Sequence, residues 1–96
     1  MREVPNRVID LVKDRQVLFS MKARHQLDAG FFDTDDIMHS VLYGKLVKKE
    51  RDEQEASQHK YTIIGPSRSG IPLYSCGKII NFLEKAYLII TFHETR

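Results

Sequence analysis

Apolar positions recur first at helical and then at strand spacing, and the change falls at Gly44. Over residues 4–14, Val4, Val8, Leu11 and Val12 form one stripe while Asp10, Lys13 and Asp14 take the other side. This predicts an amphipathic helix with Pro5 at its first position. Gln16–Phe19 is a short β-prone run, read as an edge strand or an extended connection. Ser20 is placed to cap a second helix over 21–29, with Ala23 and Leu27 one turn apart and Gly30 as the stop beyond it. Phe31 and Phe32 follow, expected to plug the core from a loop. Asp33 and Thr34 open a third helix, about 34–43, buried through Ile37, Val41 and Leu42 with His39 on the flank.

Beyond Gly44 the period becomes that of strands. Lys45–Arg51 reads as a charged edge strand, where lysines discourage unwanted pairing. Asp52–Gln58 is polar and reads as an exposed hairpin tip. Tyr61–Gly65 is a strand, the Gly65–Gly70 stretch a turn, Ile71–Ile80 a long strand, and Asn81–Lys85 another turn. Ala86–His93 is apolar on both parities, which places it inside the sheet. The predicted class is α+β: N-terminal helices packed on one face of a C-terminal antiparallel sheet of about four strands.

Composition narrows this picture without redirecting it. A chain of 96 residues has room for a single domain, 1–96, around one core. Its 42% hydrophobic and 29% charged residues argue against disorder. The net charge of +2 is too small to diagnose a nucleic-acid binder. Charge is unevenly spread, however, with an acidic middle third between two mildly basic flanks. The only cysteine, Cys76, excludes an intramolecular disulfide and fits a reducing compartment. No apolar run approaches a membrane span, and the charged N-terminus is unlike a signal peptide. A cytoplasmic location with no membrane contact is expected.

Most reactive side chains have a structural explanation close by. Asp33, Asp35 and Asp36 stand where a helix start favours negative charge, and no glycine-containing calcium loop follows them. The four histidines and Cys76 lack zinc-site spacing, so no metal and no cofactor is expected. Ser20 and Lys22 are two apart and point to different sides of a helix start. Cys76, in a strand with no base beside it, reads as an inert thiol.

Two groups carry more. Tyr74, Cys76 and Lys78 share one strand parity, and Tyr87, Ile89, Thr91 and His93 share another. If these coincide on the sheet face away from the helices, they gather phenols, an ammonium and an imidazole. Such rings stack on unpaired bases and such cations contact phosphates. Lys22, Arg24 and His25 crowd the second helix, with Lys22 and His25 one turn apart and able to converge on an anion. A solvated surface accounts for either group more simply.

The landmarks Phe19-Ser20-x-Lys22-Ala23, Gly30, Asp36-Ile37 and Gly44-Lys45-Leu46 occur in order. They are followed by Tyr61-Thr62-Ile63-Ile64-Gly65, Gly70-Ile71-Pro72-Leu73 and Leu88-Ile89-Ile90-Thr91-Phe92. Over residues 16–94 this pattern resembles a bacterial family, the domain of unknown function 4258, related to the RelE/ParE toxin superfamily. The resemblance implies a RelE-like fold and a metal-independent messenger RNA endoribonuclease of a toxin–antitoxin pair. In such enzymes the RNA 2′-hydroxyl attacks its own phosphate while basic residues stabilise the developing charge. For such a toxin the two groups above supply Lys22, His25, Lys78 and His93 as catalytic candidates and Arg24, Tyr74 and Tyr87 as RNA or phosphate contacts. The partners implied are a cognate antitoxin protein, RNA or the ribosome, and a second copy of the chain.

Two positions depart from the family pattern. Lys22 stands where members carry His, and Gln26 where they carry Arg. Lysine stabilises an anion but is a poor base unless its pKa is lowered, which leaves His25 as the substitute from the next turn. The same pocket therefore also suits a non-catalytic protein-binding module.

Overall fold

The computed structural model describes residues 1–53 and 58–95. The elements run β1 (Arg2–Glu3), α1 (Asn6–Lys13), β2 (Val17–Phe19), α2 (Met21–Asp28), α3 (Thr34–Leu42), β3 (Lys45–Arg51), β4 (His59–Pro66), β5 (Pro72–Phe82) and β6 (Glu84–Glu94). The class is α+β. Among the described residues, however, the sheet has six strands in the order β1-β3-β4-β5-β6-β2 rather than about four. It is also mixed, because β2 runs parallel to β6 with Val17, Leu18 and Phe19 opposite Tyr87, Leu88 and Ile89. β2 is the β-prone run expected as an edge strand, and it takes the edge beside β6, whereas β1 is too short to announce itself by alternation. β1 is two residues pairing with Leu46 and Lys45.

Each helix forms for a local reason. Pro5 is the residue before α1, not its first helical residue: its ψ of 140° is extended. Ser20 caps α2, its hydroxyl accepting from the Ala23 N–H, and Gly30 lies just past the helix at φ +87°. Asp33 and Asp36 cap α3 reciprocally, each carboxylate accepting from the other's backbone N–H. Between these two helices, Phe32 packs against the core while Phe31 is 84% exposed, so only one of the pair acts as a plug.

Val8 and Val12 of α1 and Ile37 and Val41 of α3 pack on Ile63, Leu73, Tyr87, Ile89 and Phe92 of the sheet, all essentially buried. Gly65 lets α3 approach β4 closely, since a Cβ there would lie 1.9 Å from the Ser40 carbonyl oxygen. The β5–β6 turn is tighter than expected: Phe82 pairs with Glu84, and Leu83 alone turns the chain at φ +66°. β6 is an interior strand, lying between β5 and β2.

The register of β5 against β6 contains one irregularity that decides the site. Cys76 pairs with Thr91, but Gly77 pairs with Ile89, leaving Ile90 as an extra residue in β6. Side chains before and after Ile90 therefore do not keep a common parity. Tyr87, Ile89 and Phe92 enter the core, whereas Thr91 and His93 pair with Cys76 and Tyr74 on the second face. A strand apolar on both parities is thereby explained without both faces being core.

Candidate functional site on the second sheet face

β2 ends at Phe19, yet β6 continues to Glu94, and side chains of α2 satisfy the exposed strand edge. The Ser20 backbone N–H donates to the Ile89 carbonyl and its hydroxyl to the Ile90 carbonyl at 2.6 Å. One helical stretch later, Gln26 Oε1 accepts from the Phe92 N–H at 3.0 Å, and its Nε2 donates to Thr91 Oγ1 at 3.0 Å. Gln26 thus acts as a strand surrogate, which ties α2 to the rim of the second face.

On that rim Tyr74 and His93 stack, with ring centroids 4.6 Å apart and planes within 15°. His93 is exposed. Its Nδ1 lies 3.0 Å from the Glu94 carbonyl, which can only accept, so Nδ1 carries the proton and a neutral ring leaves Nε2 as an acceptor. Further along the face, Lys78 donates to Asp52 Oδ2 at 2.7 Å, and both side chains are largely covered, 19% and 6% exposed. Asp52 therefore does not belong to an exposed tip, while residues 54–57 of that expected tip lie outside the described residues. Ser20, Asp52, Glu53, Lys60, Lys78, Leu88 and Ile90 border a groove of about 330 Å³ here.

The expected site residues do not all converge. Tyr74 and His93 meet, and Lys78 shares their face but is committed to an ion pair. Lys22, Arg24 and His25 are exposed on α2. Arg24 Nε donates to the Phe19 carbonyl at 3.1 Å. Lys22 is one turn before Gln26 and so lies on the side of α2 that meets the rim.

Tyr87 is the clear correction. It is fully buried, its ring lies where a Cβ on Gly77 would be 2.5 Å away, and its hydroxyl has no hydrogen-bond partner among the described residues. Burial pushes its pKa well upward, so it remains a neutral phenol out of reach of RNA. The extra residue at Ile90, invisible to parity, is the reason. Burial also pushes the Cys76 thiol up, against the opposing field of Lys60, so it stays protonated and inert.

Asp52 and Gln26 were missed as determinants of the site. Neither has a sequence signal, because the role of each depends on a strand far along the chain. Among the described residues no group of His, Cys, Asp and Glu could hold a metal ion, and no helix is long and apolar enough to cross a membrane. Compared with protein-family models, curated proteins and solved structures, the chain has no match in any of the three.

Proposed function

We propose that this chain is a RelE-like domain that binds single-stranded RNA across the second face of its sheet. The observation that carries the reading is the Tyr74–His93 stack: a two-ring platform at an exposed strand end, bordered by a helix bearing Lys22, Arg24 and His25. An unpaired base stacks on such a platform with a gain of about 1–3 kcal/mol, and the cations hold its phosphates. The family resemblance of residues 16–94 supports the same reading. If the domain also cuts RNA, His93 Nε2 is the group suited to take the 2′-hydroxyl proton, and Lys22 is better suited than Lys78 to stabilise the phosphorane. Lys78 is neutralised by Asp52.

A second reading has its own support. Lys48 pairs with Glu50 and Lys78 with Asp52, which leaves part of this face neutral beside half-buried Ile64, Leu88 and Ile90. Such a surface suits a protein partner, an antitoxin in the toxin setting, or a second copy.

Fluorescence anisotropy with labelled single-stranded RNA at low salt separates the two. Tyr74→Ala and His93→Ala should each weaken binding about 5- to 150-fold, following from the stacking energy. A cleaving domain also leaves a 2′,3′-cyclic phosphate and arrests growth on expression, both lost in Lys22→Ala or His93→Ala. RNA neither bound nor cut, together with a stoichiometric complex with the product of an adjacent gene, would overturn RNA binding in favour of the second reading.

A further inference from the structure

On the opposite, helix-bearing side of the sheet lies a polar groove of about 270 Å³, whose described walls are Arg7, Gln58, His59, Tyr61, Asn81 and Lys85 together with the aliphatic Ile79. None of these is acidic. Arg7 comes from the first turn of α1, His59 and Tyr61 from β4, and Asn81 and Lys85 from facing positions of β5 and β6. Register adds a further cation, because Arg51 of β3 stands directly across from His59. Arg7, Arg51, His59 and Lys85 form no ion pair among the described residues, whereas Arg15, Lys45, Lys48, Arg68 and Lys78 each do.

Gathering cations without a counter-charge costs stability through mutual repulsion. Here one of them is also held in place. The Tyr61 hydroxyl accepts from Arg7 Nη2, and the guanidinium carbon lies 5.9 Å from the centre of the same ring. One of the five guanidinium N–H groups is thereby used, and the others are available to an acceptor. Guanidinium, ammonium, imidazole N–H, carboxamide NH₂ and phenol O–H all supply donors, the complement of a phosphate's acceptor oxygens.

We propose that this groove is a phosphate-binding site, separate from the Tyr74–His93 platform and on the other side of the sheet. Its volume falls just below the roughly 300–1,000 Å³ typical of small-molecule pockets, which suits a phosphate with its attached sugar rather than a whole cofactor. A free nucleotide and an RNA backbone present the same chemistry, and the proposal covers the phosphate group common to both.

The test is an amide chemical-shift titration of the full chain with three probes: inorganic pyrophosphate, adenosine monophosphate, and a short single-stranded RNA without terminal phosphates. Saturable shifts at the amides of Arg7, His59, Asn81 and Lys85 are expected. Response to the first two probes alone identifies a free phosphate ligand, and response to the RNA identifies the backbone. With pyrophosphate, or with the RNA where only it responds, Lys85→Gln should weaken binding about tenfold, as loss of a charge-assisted contact does. Arg7→Gln should do so too, while Lys45→Gln, a cation elsewhere on the surface, should not. Lys85 is exposed, so its variant keeps the reading independent of any folding defect caused by removing Arg7. Absence of saturable shifts with all three probes would overturn the site, as would binding left unchanged in both groove variants.

Discussion

The side chain of Gln26 is occupied in closing the edge of β6. The Phe92 N–H it accepts belongs to a residue only 4% exposed, so removing the acceptor strands a buried donor. Gln26→Ala should therefore cost about 1–3 kcal/mol in urea unfolding. Gln26→Glu should cost less, because a carboxylate still accepts from both the Phe92 N–H and the Thr91 hydroxyl. Equal losses in the two variants would mean that packing, not the acceptor, is what matters. At this scale the sequence is legible where a residue acts on its neighbours: Ser20, Gly30, Asp33 and Asp36 all have their expected local roles. It is silent where the partner is distant, as for Asp52 with Lys78 or Arg7 with Tyr61.

At the scale of elements, the three helices and four long strands follow from spacing, because each buries a stripe set by its own period. Faces are harder. One extra residue at Ile90 reverses the parity of half a strand, which puts Tyr87 in the core and leaves His93 on the platform. The turn between β4 and β5 is fastened to α3 by Arg68, whose guanidinium bonds Asp33 and Asp36 and whose backbone N–H bonds Asp36 again. Burial alone would raise the Asp36 pKa, but the hydrogen bonds from Asp33 and Arg68 outweigh it and hold the carboxyl below its ordinary value. A depressed folded-state pKa gives stability that is present above the unfolded value, near 3.9, and is lost as pH falls through the folded one. The urea midpoint should accordingly fall below about pH 4. Arg68→Gln should lower that midpoint slightly at neutral pH and make no difference in acid, where Asp36 is neutral. A deficit that persisted in acid would assign Arg68 a packing role instead.

The whole molecule has two chemically distinct sides. One sheet face, left without a helical core, carries the Tyr74–His93 rings; the other carries the helices and, beyond them, a groove whose cations form no ion pair among the described residues. Such a division follows from tertiary placement, and a net charge of +2 gives no hint of it. The parallel pairing of β2 with β6 has a consequence in time. Ser20 bonds to Ile90 across 70 positions, so β2 and α2 have no strand to join until β6 has been made. At roughly 5–20 residues per second, that leaves Phe19, Leu27 and Phe32 without their packing for roughly 4–14 s during synthesis. Nascent chains arrested before β6 emerges from the ribosome should be cut readily by protease within residues 1–44, and chains arrested after it should resist. Early protection would mean that the helices fold by themselves. Otherwise each new copy of the protein passes through a window in which chaperones compete with misassembly, and the window closes only when its last strand arrives.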